Sequence, residues 1–187
     1  MIRNNVPLIL LFFIFSLTFN ISYSSQTAWA PAQKGDKVIF IRHSIAPGGG
    51  DPPGFKIDDC KTQRNLSKKG INQSKKIGKL FNKNNIKIDQ VLTSQWCRCK
   101  DTAKFAFKEF IEFDALNSTF QSPFDKNEVK QIKDLKNFIS SWNGKGKNLV
   151  LITHYSIITA VTQAVPGSGE IVVTDKKFNV LSTISTN

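Results

Sequence analysis

The short run Val38-Ile39-Phe40-Ile41 constrains this chain more than any other stretch. A continuous apolar run rich in β-branched residues is the pattern of a strand buried on both faces. It ends abruptly on Arg42 and His43, then passes into Ala46-Pro47-Gly48-Gly49-Gly50-Asp51-Pro52-Pro53-Gly54, which reads only as loop. In an open α/β sheet the ligand crevice lies outside the carboxyl ends of the strands. Arg42 and His43 are therefore expected at the mouth of a site, carried by a rigid strand. A second run of the same kind, Asn148-Leu149-Val150-Leu151-Ile152-Thr153, also ends on a histidine, His154. The chain has 2 histidines in all, and each closes a buried strand.

The rest of the chain reads as alternating helix and strand. Residues 1–25 have the character of a signal peptide: Arg3 is a basic start, Val6 to Leu17 is almost wholly apolar, and Ser24 and Ser25 offer small residues for cleavage. That apolar run is short for a bilayer span, which needs about 20 residues. Cleavage after Ala30 is disfavoured by Pro31, and no cysteine follows to carry a lipid. The alternative is an uncleaved membrane anchor. The remaining chain, taken as one domain over residues 33–187, has a single-domain length. Residues 44–64 form a loop without periodicity, of the kind that is usually functional or mobile. Ser67 is placed to cap a helix over 68–82, with Ile71, Ile77, Leu80 and Phe81 on one face and lysines on the other; Gly70 and Gly78 weaken it. A strand over 86–94 leads into a helix beginning near Arg98 and ending near Phe110. A short strand is expected over 111–116, a helix over 127–142, a helix over 156–164, and a closing antiparallel pair over 170–173 and 178–185.

Net charge is +12, which points to anionic partners such as phosphorylated small molecules or lipid headgroups. The lysines are dispersed, and no basic run is interleaved with aromatics as a nucleic-acid groove requires. Nucleic acid is therefore not an expected partner.

The order Arg42-His43 early, Ser94-Gln95-Trp96-Cys97-Arg98 with Thr102-Ala103 mid-chain, and Thr153-His154 late resembles the histidine phosphatase superfamily, the phosphoglycerate-mutase-like proteins. Leu66-Ser67-Lys68-Lys69-Gly70 is similar to that superfamily's first helix start. The resemblance covers nearly all of the chain after the signal-like segment. It implies an α/β fold, a doubly wound αβα sandwich with a mostly parallel central sheet. It also implies a phosphohistidine intermediate on His43, with Arg42, Arg98 and His154 around the phosphoryl oxygens and no metal or other cofactor. Arg64, just ahead of the helix at Ser67, is a further candidate contact, and reads equally well as a surface arginine. The stretches Cys60 to Leu66 and Ser94 to Arg98 are similar to exported phosphatases of lipopolysaccharide core heptose. The implied partner is thus a small phosphorylated molecule, a phosphosugar or lipopolysaccharide core, met in the periplasm or outside the cell, with no stable membrane span after signal cleavage.

Three departures from that pattern matter. Ser44 stands where glycine usually follows the nucleophile. Tyr155 follows His154. The region Leu116-Asn117-Ser118-Thr119-Phe120 carries an amide where the superfamily has the carboxylic acid that protonates the leaving group. Loss of that acid disfavours a mutase and favours a phosphatase; a non-catalytic phosphate or phospholipid binder is the rival reading. An alkoxide leaves only if protonated as the P–O bond breaks, so a loop carboxylate is expected to supply the proton. Asp51 is the first candidate, although Gly50-Asp51-Pro52 also suits a simple turn; Asp58, Asp59, Asp125 and Glu128 are the others. Of the 3 cysteines, an odd number in an exported chain leaves one bridge and one free thiol, or none paired. Cys97 and Cys99 are too close in sequence to bond easily, and Cys99 reads as a small buried residue. A Cys60–Cys97 bridge is the expected pairing. It would tie the long loop to the Arg98 turn and contribute about 4 kcal/mol in the chain-entropy view.

Overall fold

The computed structural model describes residues 20–187. The apolar run of the expected signal peptide lies outside the described residues. Helix α1 (Asn20–Gln33) precedes β1 (Val38–Arg42), α2 (Lys68–Lys83), β2 (Ile88–Thr93), α3 (Cys97–Phe107) and β3 (Ile111–Glu112). Then come α4 (Glu128–Ser141), β4 (Asn148–Thr153), α5 (Tyr155–Thr162), β5 (Ile171–Thr174) and β6 (Val180–Ile184). The six strands form one sheet in the order β3-β2-β4-β1-β5-β6. The pairs β1–β4, β2–β4 and β2–β3 are parallel. The closing strands β5 and β6 are antiparallel, as their short connection dictates.

Alternation along the strands assigns the two layers. Ile39 and Ile41 point into a core built with Trp29, Ile77, Phe81, Trp96 and Ala103, which belong to α1, α2, α3 and the turn before α3. Val38 and Phe40 point to the other face, against Leu135 and Ile139 of α4 and Ile157 and Ile158 of α5. The central strands are buried along Val38–Ile41 and Asn148–Thr153, as their unbroken apolar runs require. The expected αβα sandwich with a mostly parallel sheet is the fold observed.

Local differences have physical reasons. The strand expected over 111–116 shrinks to two residues at the sheet edge, and Asp114–Leu116 instead forms a 3-10 turn. The third helix ends at Phe107 rather than Phe110. The folded unit reaches back beyond residue 33: Trp29 and Ala32 lie in the core, Trp29 stacks edge-on against Phe81 at 5.3 Å, and Ser182 Oγ donates to Ala28 O. The two glycines that weaken α2 as an isolated helix are needed by its packing. A Cβ on Gly70 would come within 2.1 Å of Ile45 O, and one on Gly78 within 2.2 Å of Ala106 O in α3. Ser67 caps the helix as expected, accepting from Gly70 N at 3.1 Å.

The topology positions the site. β4 lies between β1 and β2, with Arg42 in register with Thr153 and Thr93 with Ile152. Three parallel strands therefore end at one level. The residues that follow them, His43, His154 and the Ser94–Arg98 turn, are brought to one place although they are far apart in sequence.

Candidate active site

A cavity of about 110 Å³ opens at these strand ends, lined by Arg42, His43, Arg64, Arg98, His154 and Tyr155 together with Gly48–Gly50, Ser118, Phe120 and Gln121. Typical pockets for small molecules measure about 300–1,000 Å³, so this one suits a single small anionic group with the remainder of its molecule outside. A larger hollow, of about 600 Å³, lies by the α3–β3 connection and contains none of the candidate residues.

His43 is buried, and its ring makes one hydrogen bond. Nδ1 lies 2.8 Å from Ser44 O. A carbonyl only accepts, so Nδ1 carries the proton and Nε2 keeps its lone pair, free for attack. His43 N donates to Thr153 O, which locks the end of β1 to the end of β4. Ser44 fits where glycine was expected: it is fully buried, its N–H donates to Thr102 Oγ1, and its hydroxyl is bonded to Ser74 Oγ at 2.8 Å.

His154 stands across from His43, ring centroids 5.4 Å apart. Its Nε2 lies 2.9 Å from Ser94 Oγ, and Ser94 Oγ lies 3.1 Å from Asn117 Oδ1, which also accepts from Gln95 N. An amide oxygen only accepts, so the Ser94 proton goes to Asn117 and His154 Nε2–H donates to Ser94. Asn117 is thus committed to bracing His154. Burial, and next the positive charge of Arg98, hold both histidines well below their ordinary pKa of 6.5. Both stay neutral at pH 7, the state a nitrogen nucleophile needs. The acid limb of kcat/KM should therefore fall below pH 6.5, and a pH–rate profile checks this; a midpoint at or above 6.5 would contradict it. The linkage has the same sign for stability. Unfolding lets these histidines bind protons that the native state excludes, so stability is full above pH 6.5 and falls as the pH drops below it.

Three arginines face these rings. Arg42 Nη1 donates to Pro166 O, and its guanidinium lies 5.4 Å from the centre of the Tyr155 ring. Tyr155, the residue that departs from the expected pattern, thus supports Arg42 from the first turn of α5. Arg64 donates through Nε to Gly50 O at 2.7 Å and through Nη1 to Ala46 O. It braces the glycine-rich loop and forms part of the cavity wall, so it is more than a surface arginine. Arg98 is 3 % exposed. Its Nη2 is directed at His154 Nδ1, 3.5 Å away. The Nε–H groups of Arg42 and Arg98 are buried without any acceptor. Such donors cost free energy until an acceptor reaches them, and a bound oxyanion would supply one.

Asp51 is not placed to act as the acid. Its side chain is 2 % exposed and bonds Arg98 Nη1 through both oxygens, at 2.8 and 3.1 Å. Trp96 Nε1 donates to Oδ2 at 2.9 Å and Arg64 N to Oδ1 at 3.0 Å. Four donor contacts hold it as a carboxylate acceptor, the counter-ion that aims Arg98. The other acid candidates fail on position. Asp59 caps the short turn at Cys60–Thr62, Glu128 accepts from Thr119 Oγ1, and none of Asp58, Asp59, Asp125 and Glu128 lines the cavity.

The long loop is fastened to the start of α3. Cys60 and Cys97 form a disulfide, Gln63 Oε1 accepts from Cys97 N at 3.0 Å, and Asp51 holds Arg98 one residue on. Cys99 is a free, buried thiol whose pKa is pushed up to about 12 by burial. Non-reducing peptide mapping should find the Cys60–Cys97 pair with Cys99 unpaired. The Cys60→Ser variant should lose about 4 kcal/mol of stability, measured by denaturant titration; an unchanged midpoint would mean that the loop is held without the bridge.

The same fold occurs in solved structures. The protein histidine phosphatase SixA complexed with tungstate matches with a TM-score of 0.53 and 14% identity, covering 80% of this chain and 97% of its own. Phosphoserine phosphatase from Entamoeba histolytica, in complex with phosphoserine, matches with a TM-score of 0.57 and 16% identity, covering 80% and 97%. TTHB049 from Thermus thermophilus matches with a TM-score of 0.55 and 14% identity, covering 80% and 98%. No family model matches the chain, and no curated protein sequence matches it.

Proposed function

We propose that this chain, which has the phosphoglycerate-mutase-like fold of the histidine phosphatases, hydrolyses phosphomonoesters through a phosphohistidine on His43. The observation that carries the reading is the state of His43: a neutral imidazole with Nε2 free, on the wall of a small cavity whose other charged groups are all cationic. A phosphoryl dianion is the ligand such a wall favours, and phosphorus is the electrophile within reach of that nitrogen.

The chemistry follows from positions. Arg42, Arg64 and Arg98 surround the cavity and would neutralise the three phosphoryl oxygens, with the unpaired Nε–H groups of Arg42 and Arg98 among the available donors. Arg98 is held before substrate arrives, because Asp51 fixes one arm of the guanidinium and leaves the other toward the site. Such preorganised charge stabilises a transition state in which negative charge spreads over the equatorial oxygens. Water then cleaves the phosphohistidine and restores Nε2.

The substrate is proposed to be an exported or envelope phosphomonoester; the heptose phosphate of lipopolysaccharide core is a weaker fit, because as an alkyl ester it would leave without a carboxylic acid on the cavity wall to protonate it. The signal-like start of the sequence and the Cys60–Cys97 disulfide both favour an oxidising compartment outside the cytoplasm. No helix among the described residues is long and apolar enough to cross a membrane. The structural neighbours, a protein histidine phosphatase and a phosphoserine phosphatase, support a phosphatase rather than a mutase.

The test is turnover of p-nitrophenyl phosphate by the purified protein, with rapid quenching into base and mass spectrometry. The expected result is stoichiometric phosphate release and a phosphorylated peptide containing His43. Binding of phosphate without any release would leave the non-catalytic reading in its place.

A further inference from the structure

We infer that the site is built for phosphate esters of phenols, a reading that rests on the phosphatase function above. Two independent features of the cavity point the same way.

The first is the chemistry of the wall. Among the described residues that line the cavity there is no Asp or Glu. Asp51 is committed to Arg98, Trp96 and the Arg64 amide. Asn117 fills the place of the expected acid and is bonded to Ser94 and to Gln95. His154 holds its Nε2 proton on Ser94. An alkyl ester cleaved here would have to expel an alkoxide with no carboxylic acid to protonate it, and general acid assistance is worth roughly 100- to 10,000-fold. A phenolate is a far weaker base and can depart without that help.

The second is the shape of the mouth. Phe120 is 52% exposed although it is a large apolar residue. Its ring meets that of Tyr155 edge to face, centroids 5.6 Å apart, and both line the cavity. Tyr155 in turn carries Arg42 against its ring. The cavity itself is too small for more than the phosphoryl group, so the leaving group lies against this aromatic rim. A flat ring stacks on such a surface, whereas an acyclic hydroxyl carrier would leave Phe120 in water.

The steps balance without a proton donor. The Nε2 lone pair of His43 attacks phosphorus, and the P–O bond breaks with its electron pair on the phenolate, which takes a proton from solvent. Water then attacks the phosphohistidine, the P–N pair returns to Nε2, and dihydrogen phosphate leaves. An exposed phosphotyrosine side chain and a free aryl phosphate both have this chemistry.

The experiment compares kcat/KM of the full-length protein for phenyl phosphates of graded phenol acidity, a phosphotyrosine peptide, glycerol phosphate, phosphoserine and a phosphoramidate. The expected result is an aryl-over-alkyl preference of about 100-fold or more, and a steep dependence on phenol acidity. In Phe120→Ala the aryl-over-alkyl ratio should fall about tenfold, and in Tyr155→Phe it should persist, because the ring rather than the hydroxyl forms the rim. Turnover of the phosphotyrosine peptide, or only of the free aryl phosphates, identifies which source of the ring is accepted; either supports the inference. Equal rates for alkyl and aryl esters, with both lost in His43→Ala, would overturn the aryl inference while leaving the phosphatase reading in place. A higher rate for the phosphoramidate than for every aryl ester, or an unchanged ratio in Phe120→Ala, would also overturn it. Turnover of none of these would remove the phosphatase reading itself.

Discussion

The His43→Ala variant should release no measurable phosphate, a loss of about 1,000-fold or more from any turnover the wild type shows. The size follows from the role. No other described group on the cavity wall combines a free lone pair with a locked orientation: His154 has Nε2 committed to Ser94 and Nδ1 facing the Arg98 guanidinium. The loss of function should not be a loss of fold. The His43 ring makes a single polar contact, to the neighbouring carbonyl of Ser44, and its backbone bond to Thr153 O survives the substitution. Circular dichroism and the unfolding midpoint should therefore show a native chain. A variant keeping a tenth of wild-type turnover would show that phosphorus is attacked by something else.

Arg98 should be nearly as sensitive, and the pattern of its variants tests how it works. Arg98→Ala removes the charge that acts most strongly on both histidines and leaves Asp51 buried without its counter-ion. Loss of one preorganised donor costs about 3 kcal/mol of transition-state stabilisation, or roughly 100-fold in rate. Breaking a buried pair by deleting one partner costs about 3–5 kcal/mol of stability. Arg98→Lys retains the charge but should recover only part of the rate. The guanidinium bonds Asp51 through Nη1 while Nη2 faces His154. One ammonium cannot occupy both positions, and it lacks the planar fork. Asp51→Asn should lower kcat through Arg98, and adding it to Arg98→Ala should cost little more, since the pair acts as one unit. Full activity in Arg98→Lys, or strictly additive losses in the double variant, would show that Asp51 does not position Arg98.

Much of this was written locally. The runs 38–41 and 148–153 are apolar on both faces, so they had to be central strands. Their ends carry the two histidines, and a parallel sheet places the ends of neighbouring strands together. The Ser67 cap, the lysine-backed face of α2 and the tight β5–β6 pair are likewise set by residues close in sequence, where turn chemistry and side-chain period act without help from the rest of the fold.

What the sequence could not determine depends on partners distant along the chain. Asp51 reads as a loop acid or a turn former until Arg98, 47 residues away, is seen to take both of its oxygens. Gly70 and Gly78 read as weak points because the carbonyls of Ile45 and Ala106 that crowd them belong to other elements. Trp29 reads as lying ahead of the domain until Phe81 is found against it. Phe120 and Tyr155 carry no motif and become a rim only when the start of α5 and the loop before α4 meet at one cavity. The sequence by itself determined the central strands, the helix faces and which histidines close those strands, because secondary-structure period and chain continuity act over a few residues. Which charges pair, which carboxylate is committed and what rims the cavity were decided by tertiary structure, because burial and Coulomb interaction depend on distance in space and not on separation along the chain.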